Sequence, residues 1–212
     1  ILLPTFIMPI QKNCFMKLYK CSYLLIVLII LTGTSIHADI ENKLTDSQLD
    51  QLLTDVEKNF GQLKTIKTLL TQEKNIHIFS ETVISKGFCL FKSPDKLRLE
   101  FTEPFKSALI VNDGNVTKYE FYNDNWQKLN SGNKEVMLMI MNNITGWLKG
   151  RFRDTDLYDI SAYANGKIRI TLIPKNEEFQ KIIRSFEMGI NTDKTGLEYI
   201  TIYEKKKDYT KI

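Results

Sequence analysis

Short runs in which polarity changes at every residue, each closed by a turn, constrain this chain more than any other feature. Leu97, Leu99 and Phe101 alternate with Arg98, Glu100 and Thr102. Ile168, Ile170 and Leu172 alternate with Arg169 and Thr171, and Arg184, Phe186, Met188 and Ile190 alternate with Ser185 and Glu187. Successive side chains of a strand point to opposite faces, so each run has one side suited to a core. Turn residues separate the runs at Ser93-Pro94-Asp95, Asn112-Asp113-Gly114, residues 122–125, Asn165-Gly166 and residues 192–196. Such a pattern predicts a meandering antiparallel sheet with one apolar face.

Two segments break the strand pattern. Residues 45–63 place Leu49, Leu52, Leu53, Val56 and Phe60 at three-and-four spacing, which predicts an amphipathic helix capped by Thr45 or Asp46. Residues 134–143 carry Val136, Met137, Leu138, Met139, Ile140 and Met141 without alternation. Methionine and leucine favour helix, so this segment reads as a short helix that is apolar nearly all round, with a second short helix over residues 145–150. A helix of that kind has to be buried on more than one side. It is either a fixed plug in the core or a movable lid whose unbranched methionines repack around a ligand.

The start of the chain has a different character. From Met16 the sequence reads as a basic start with Lys17 and Lys20, an apolar run over residues 23–31, and small or polar residues to Ala38. That is the plan of a secretory signal peptide over residues 16–38, with cleavage before Asp39 and Ile36 at the minus-three position. The apolar run is about half the roughly 20 residues that span a bilayer. Lipid attachment would require a cysteine where Asp39 stands. Residues 1–15 precede a plausible start and read as an upstream extension, leaving one domain over residues 39–212.

Charge and chemistry then narrow the function. Of 29 basic and 25 acidic residues, Lys12, Lys17 and Lys20 belong to the first 38 residues, which contain no acid. The remainder is nearly neutral, giving no electrostatic case for nucleic acid. An apolar content of 43% excludes disorder. His77 lies in a strand-like alternation with no ligating neighbours, and Cys89 sits among Phe88, Leu90 and Phe91 as a small buried hydrophobe. The acidic pairs Glu177-Glu178 and Asp154/Asp156 read as solvated, and residues 204–208 read as a charged hairpin turn. No nucleophile, phosphate-binding or metalloprotease motif is present. The chain reads as a binding protein without a cofactor rather than an enzyme.

The order of several segments resembles one family. Leu70-Thr71-Gln72, Gly87-Phe88-Cys89-Leu90-Phe91-Lys92-Ser93-Pro94, Lys96-Leu97-Arg98-Leu99-Glu100-Phe101-Thr102-Glu103-Pro104 and Leu109-Ile110-Val111-Asn112-Asp113-Gly114 are similar to the LolA family of periplasmic lipoprotein carriers. The resemblance implies an α+β fold, a strongly curved antiparallel sheet or incomplete β-barrel, with an N-terminal helix and short helices over its concave apolar face. It also implies a monomer in the periplasm of a Gram-negative bacterium. The partners implied are acylated lipoproteins, an inner-membrane lipoprotein-releasing transporter and an outer-membrane lipoprotein receptor.

The acyl-binding residues expected on the sheet are Leu97, Leu99, Phe101, Ile110, Phe186 and Met188. Those expected on the lid are Met137, Met139, Ile140, Met141, Ile144 and Trp147, with Leu148 beside them. The position before Pro94 is often arginine in these carriers and tied to holding the lid shut. Here Lys92 and Ser93 stand at that latch, which implies a closure that is weaker or differently built. The family also continues past Ile212, which implies a C-terminally truncated sequence. A binding module of the same fold with another lipid, or with a lipoprotein-sensing role, is the alternative.

Burial of an acyl chain contributes about 0.8 kcal/mol per methylene, so a triacylated protein does not cross water unshielded. Full burial of three chains, at roughly 30 kcal/mol, exceeds the 18 to 21 kcal/mol ceiling of noncovalent affinity. Displacement of a lid is one offset that brings the binding energy into range.

Overall fold

A computed structural model describes residues 42–78, 81–129 and 134–212, apart from the side chains of Lys134 and Lys206. The leader and the stretch before it lie outside the described residues. The chain begins with helix α1 (Asp46–Phe60), whose capping box is closed by Thr45 and Gln48. A six-strand meander follows: β1 (Thr65–Asn75), β2 (Val83–Lys92), β3 (Lys96–Glu103), β4 (Ser107–Asn112), β5 (Asn115–Tyr122) and β6 (Asn125–Leu129). Helix α2 (Lys134–Trp147) leads to β7 (Tyr158–Ala164), β8 (Ile168–Pro174), α3 (Glu177–Gln180), β9 (Ile183–Ile190), β10 (Leu197–Glu204) and β11 (Tyr209–Lys211).

All eleven strands form one antiparallel sheet in the order β6-β5-β4-β3-β2-β1-β11-β10-β9-β8-β7, not closed into a barrel. The fold is α+β. The turns follow local chemistry. Asp113 and Gly114 both take positive φ, as do Asn123 and Asp124, and each pair closes a two-residue hairpin of the kind that matches strand twist. At one margin of the sheet, Leu44 N–H donates to Ala162 O and Ala164 N–H donates to Asn42 O. The segment ahead of α1 thus covers the outer edge of β7, which would otherwise offer unpaired backbone groups.

One core gathers the inner face. It includes Leu70 of β1, Cys89 and Phe91 of β2, Leu97 and Leu99 of β3, Val111, Val116, Ile170, Leu172, Phe186, Met188, Ile190 and Ile200. The same core takes Leu52, Leu53, Val56 and Phe60 from α1 and Met141, Ile144 and Trp147 from α2. Strands so far apart in the sheet share one core because the sheet wraps around the helices. Aromatic edges lock its centre: the Phe186 ring lies 4.9 Å from Trp147, 6.0 Å from Tyr158 and 6.1 Å from Phe179.

The structure departs from the sequence reading of these elements in three places. The two short helices expected over residues 134–143 and 145–150 are one helix, α2. The Thr145 hydroxyl donates to Met141 O inside the helix (2.7 Å), so the polar stretch at Asn142-Asn143 and Thr145-Gly146 does not interrupt it. Arg184 leaves the inner face because the pairing of β9 with β10 shifts between Tyr203 and Glu204, which brings Ile183 inside at 1% exposure. Its guanidinium lies over the Tyr203 ring instead. His77 lies in the turn after β1 rather than in a strand, its backbone N–H donating to Asp208 Oδ1 (2.6 Å). The charged hairpin turn expected over residues 204–208 is present: a single 3₁₀ turn over residues 205–207 joins β10 to β11, which pair antiparallel from Tyr203 and Tyr209.

Because Phe186 touches the helix, the start of β7 and α3 at once, Phe186→Ala is expected to destabilise the protein by about 3 to 5 kcal/mol. The measurement is urea unfolding followed by fluorescence and circular dichroism.

Candidate functional site

The sheet has one seam. Strand β11 is three residues long and joins Glu73–Asn75 of β1 on one side to Thr201–Tyr203 of β10 on the other. Ile212 adds a reciprocal backbone pair with Ile200 (2.8 and 2.9 Å). Past that point β1 and β10 run on with two cavities between them. One, of about 460 Å³, is lined on its apolar side by Leu70, Cys89, Leu99, Ile144, Leu148 and Ile200. The other, of about 450 Å³, is walled by Phe60, Leu63 and Ile66. Thr68, Cys89, Leu148 and Leu197 line both, so the two form one cleft along the inner face. Each lies in the size range of small-ligand sites.

Helix α2 covers this face unevenly. Its C-terminal half is packed, with Met141, Ile144 and Trp147 each below 7% exposure. The segment after it is tied to α1: Arg153 Nε donates to Glu57 (3.0 Å), and its other nitrogens reach Asp50 and Thr54. The Asp50 bond chiefly holds the Arg153 guanidinium above its ordinary pKa, against a smaller opposing effect of burial, with Glu57 adding to it. Gly150, at φ +78°, lets the backbone pass so close to α1 that a Cβ there would stand 2.8 Å from the Glu57 Cα. The N-terminal half is looser. Met137, Leu138 and Ile140 are half-buried against the core, and Met139 is exposed.

The residues expected to bind acyl chains therefore divide. Leu99 and Ile144 line the cleft. Leu97, Met141, Trp147, Phe186 and Met188 are packed in the core, and Phe101, Met137 and Ile140 lie half-buried against it. Two stand elsewhere. Ile110 pairs with Arg98, while Leu109 pairs with Leu99 and Val111 with Leu97; it lies on the outer face, outside the core. Met139 is 36% exposed and lies outside the core. Arg98 and Glu100 form an ion pair on the outer face (2.7 Å), as the alternation requires.

Lys92 ends β2, exposed, and Ser93 donates its backbone N–H to Lys64 O (2.8 Å). Beyond them, Asp95 acts on Lys149, just past α2: burial chiefly lowers the Lys149 pKa, Arg151 lowers it further, and Asp95 opposes both. Leu70, Leu197 and Ile200 of the cleft carry no signal in the sequence, because a gap between strands 130 positions apart leaves no local pattern, whereas Leu148 is the residue expected beside the lid. Among the described residues, no cluster of three histidine, cysteine or acidic side chains could hold a metal, and no helix is long and apolar enough to cross a membrane.

A family profile described as "Outer membrane lipoprotein carrier protein LolA" matches residues 61–212, the whole sheet included. The chain belongs to the LolA family. No curated protein sequence matches it. Solved structures similar to this LolA-family chain include the LolA superfamily protein NE2245 from Nitrosomonas europaea, at 9% identity and a TM-score of 0.36, covering 76% of this chain and 89% of that one. A DUF1329 family protein from Desulfovibrio piger is 11% identical with a TM-score of 0.38, over 74% and 72% of the two chains. The CwlD amidase from Clostridioides difficile in complex with the GerS lipoprotein contains a chain matched at 11% identity and a TM-score of 0.33, over 79% and 91%.

Cys89 reports on the cleft. Burial pushes its thiol up to about 11, so the thiolate is scarce at neutral pH and its share grows until the pH passes that value. Alkylation of Cys89, followed by mass spectrometry of its peptide, is expected to be slow at pH 8. It should keep accelerating past pH 9.5, where an exposed cysteine levels off.

Proposed function

We propose that this protein is a periplasmic carrier that takes the acyl chains of lipoproteins into the cleft beneath α2 and moves them from the inner to the outer membrane. The observation that carries the reading is the continuity of the cleft with the apolar inner face, between β1 and β10 and under a helix that is firmly seated at one end only. An acyl chain has no polar group for a site to recognise along its length, so its site needs volume, apolar walls and a way in. The cleft supplies volume and walls. The loosely packed N-terminal half of α2 supplies a part that can lift while Arg153 and Gly150 hold the other end to α1.

The energetics fit a carrier that must also release. A 16-carbon chain, fully buried, gains about 12 kcal/mol at 0.8 kcal/mol per methylene. Lifting Met137 and Ile140 from the core returns part of that, which brings net binding into a range that a receptor can compete with. In this reading the leader directs export and Asp39 becomes the first residue. An inner-membrane lipoprotein-releasing transporter loads the carrier and an outer-membrane receptor unloads it. The protein acts as a monomer and needs neither cofactor nor catalytic group. Lys92 and Ser93 lie at the turn beside Lys149, where a latch on the end of α2 would act through contacts other than an arginine side chain.

The test is binding of a fluorescent 16-carbon fatty acyl probe. Leu99→Asp places a charge in the apolar wall and is expected to weaken the probe by at least about tenfold, a loss of about 1.4 kcal/mol. Since Leu99 is also core, Thr68→Trp provides a second route, filling both cavities from an exposed position while leaving the core intact. Probe binding unchanged in a folded Thr68→Trp variant would refute the cleft as the acyl site. Acyl binding without transfer to outer-membrane vesicles would instead mark a lipid or lipoprotein sensor on the same fold.

A further inference from the structure

Strand β1 is bonded on one side only along most of its length. Ser93 N–H donates to Lys64 O, and the register carries that pattern up the strand, so the even-numbered residues of β1 turn their N–H and C=O groups toward β2. The odd-numbered residues turn theirs the other way. Glu73 there meets Lys211 of β11, whereas Thr65, Lys67, Leu69 and Thr71 face the gap toward β10 with no strand of the described residues opposite them. All four line the cleft. The cleft also passes through the sheet: Leu69, 86% exposed, and Leu70, 8% exposed, are neighbours on opposite faces, and both line it, as do Tyr199 and Ile200 of β10. Where β11 ends, it has set β1 and β10 apart by the width of one strand.

We propose that the free edge of β1 pairs with an extended peptide, and that the ligand of the cleft is an acyl chain joined to such a peptide rather than a free fatty acid. The inference rests on the reading of the cleft as an acyl site. A strand laid beside β1 sends alternate side chains to the inner face. A residue there that bears an acyl chain on its side chain delivers it into the cleft beneath α2 while its own main chain stays in the sheet. An acyl chain alone strips water from the N–H and C=O groups of Leu69 and Thr71 and returns nothing to them. Peptide amides pair with them, as in strand addition to any exposed sheet edge. The charged residues lining the gap are balanced, Lys67 and Lys211 against Glu73 and Glu198. Charge therefore favours no particular peptide sequence, and main-chain pairing requires none.

The experiment uses the protein made from its complete gene and two compounds, blocked S-hexadecylcysteine and a six-residue peptide of alanine and serine with S-hexadecylcysteine at its head. Each is titrated by displacement of the fluorescent acyl probe. The peptide is expected to bind at least about tenfold more tightly than the blocked amino acid, and methylation of its alternate backbone nitrogens is expected to remove that gain. Leu69→Pro deletes an N–H that no strand of the sheet accepts, at an exposed edge position where proline is tolerated. It is expected to weaken the peptide about fivefold and to leave blocked S-hexadecylcysteine unchanged, whereas Leu69→Ala, which keeps the N–H, should hold both as the native protein does. Equal affinity of the two compounds would overturn the proposal, and an edge already filled by a second copy or by the chain itself would give that result. A Leu69→Pro variant that is folded by circular dichroism and holds the peptide as tightly as the native protein would overturn it too. If that variant does not fold, the methylated peptide on the native protein decides: binding equal to that of the unmethylated peptide overturns the proposal. Failure of the fluorescent probe and of both compounds to bind would instead refute the acyl site itself, and this inference with it.

Discussion

An antiparallel sheet whose inner face is apolar has to be covered, and in this protein no second sheet is present among the described residues to cover it. That constraint organises the rest. The sheet wraps, two helices fill the hollow, and a single core forms from strands at both ends of the order. α1 is bound in by a full apolar stripe. α2 reaches the same core with its C-terminal half and leaves its other end half-exposed. The cleft lies where this covering is thinnest, beside Leu148 and Ile144 and along the gap that β11 is too short to fill.

The two ends of α2 differ in kind as well as in burial. At the C-terminal end the contacts are specific: an arginine shared among Asp50, Thr54 and Glu57, and a glycine backbone against Glu57. At the N-terminal end they are methionine, isoleucine and leucine contacts with an apolar surface. Hydrogen-bonded guanidinium geometry has few alternatives, whereas a methionine can trade one apolar neighbour for another at little cost. The helix is therefore registered at one end and adaptable at the other.

Much of this was legible in the sequence where polarity or turn chemistry left a mark. Leu97, Leu99 and Phe101 were assignable to the inner face because Arg98 and Glu100 flank them. Ile110 was not, because Leu109-Ile110-Val111 is apolar throughout and only the count back from the Asp113-Gly114 turn fixes which side it takes. Alternation alone puts Arg184 on the inner face, since a shifted register has no signature within one strand. Composition divides the helix over residues 134–147 in two because Asn142-Asn143 and Thr145-Gly146 resemble a terminus; the Thr145 bond to Met141 O belongs to the folded helix and to nothing local in composition. The cleft depends on where β1 and β10 come to lie, which is a property of the whole sheet.

The seam at β11 also orders events in time. Ten of the eleven strands are arranged as two meanders, β1 to β6 and β7 to β10, whose pairings are all between neighbours in the chain. Such hairpins form early, since little loop entropy opposes them. Uniting the meanders requires Glu73 and its neighbours to meet the strand containing Tyr209, 136 positions later. Because β11 follows the other strands of the described residues, a growing chain carries its first meander with only the two helices available to cover Leu97, Leu99 and Val111 until the second has been made. The half-made protein is thus a sticky, unfinished surface, and the stage at which a holding chaperone has most to protect is the interval before β11 arrives.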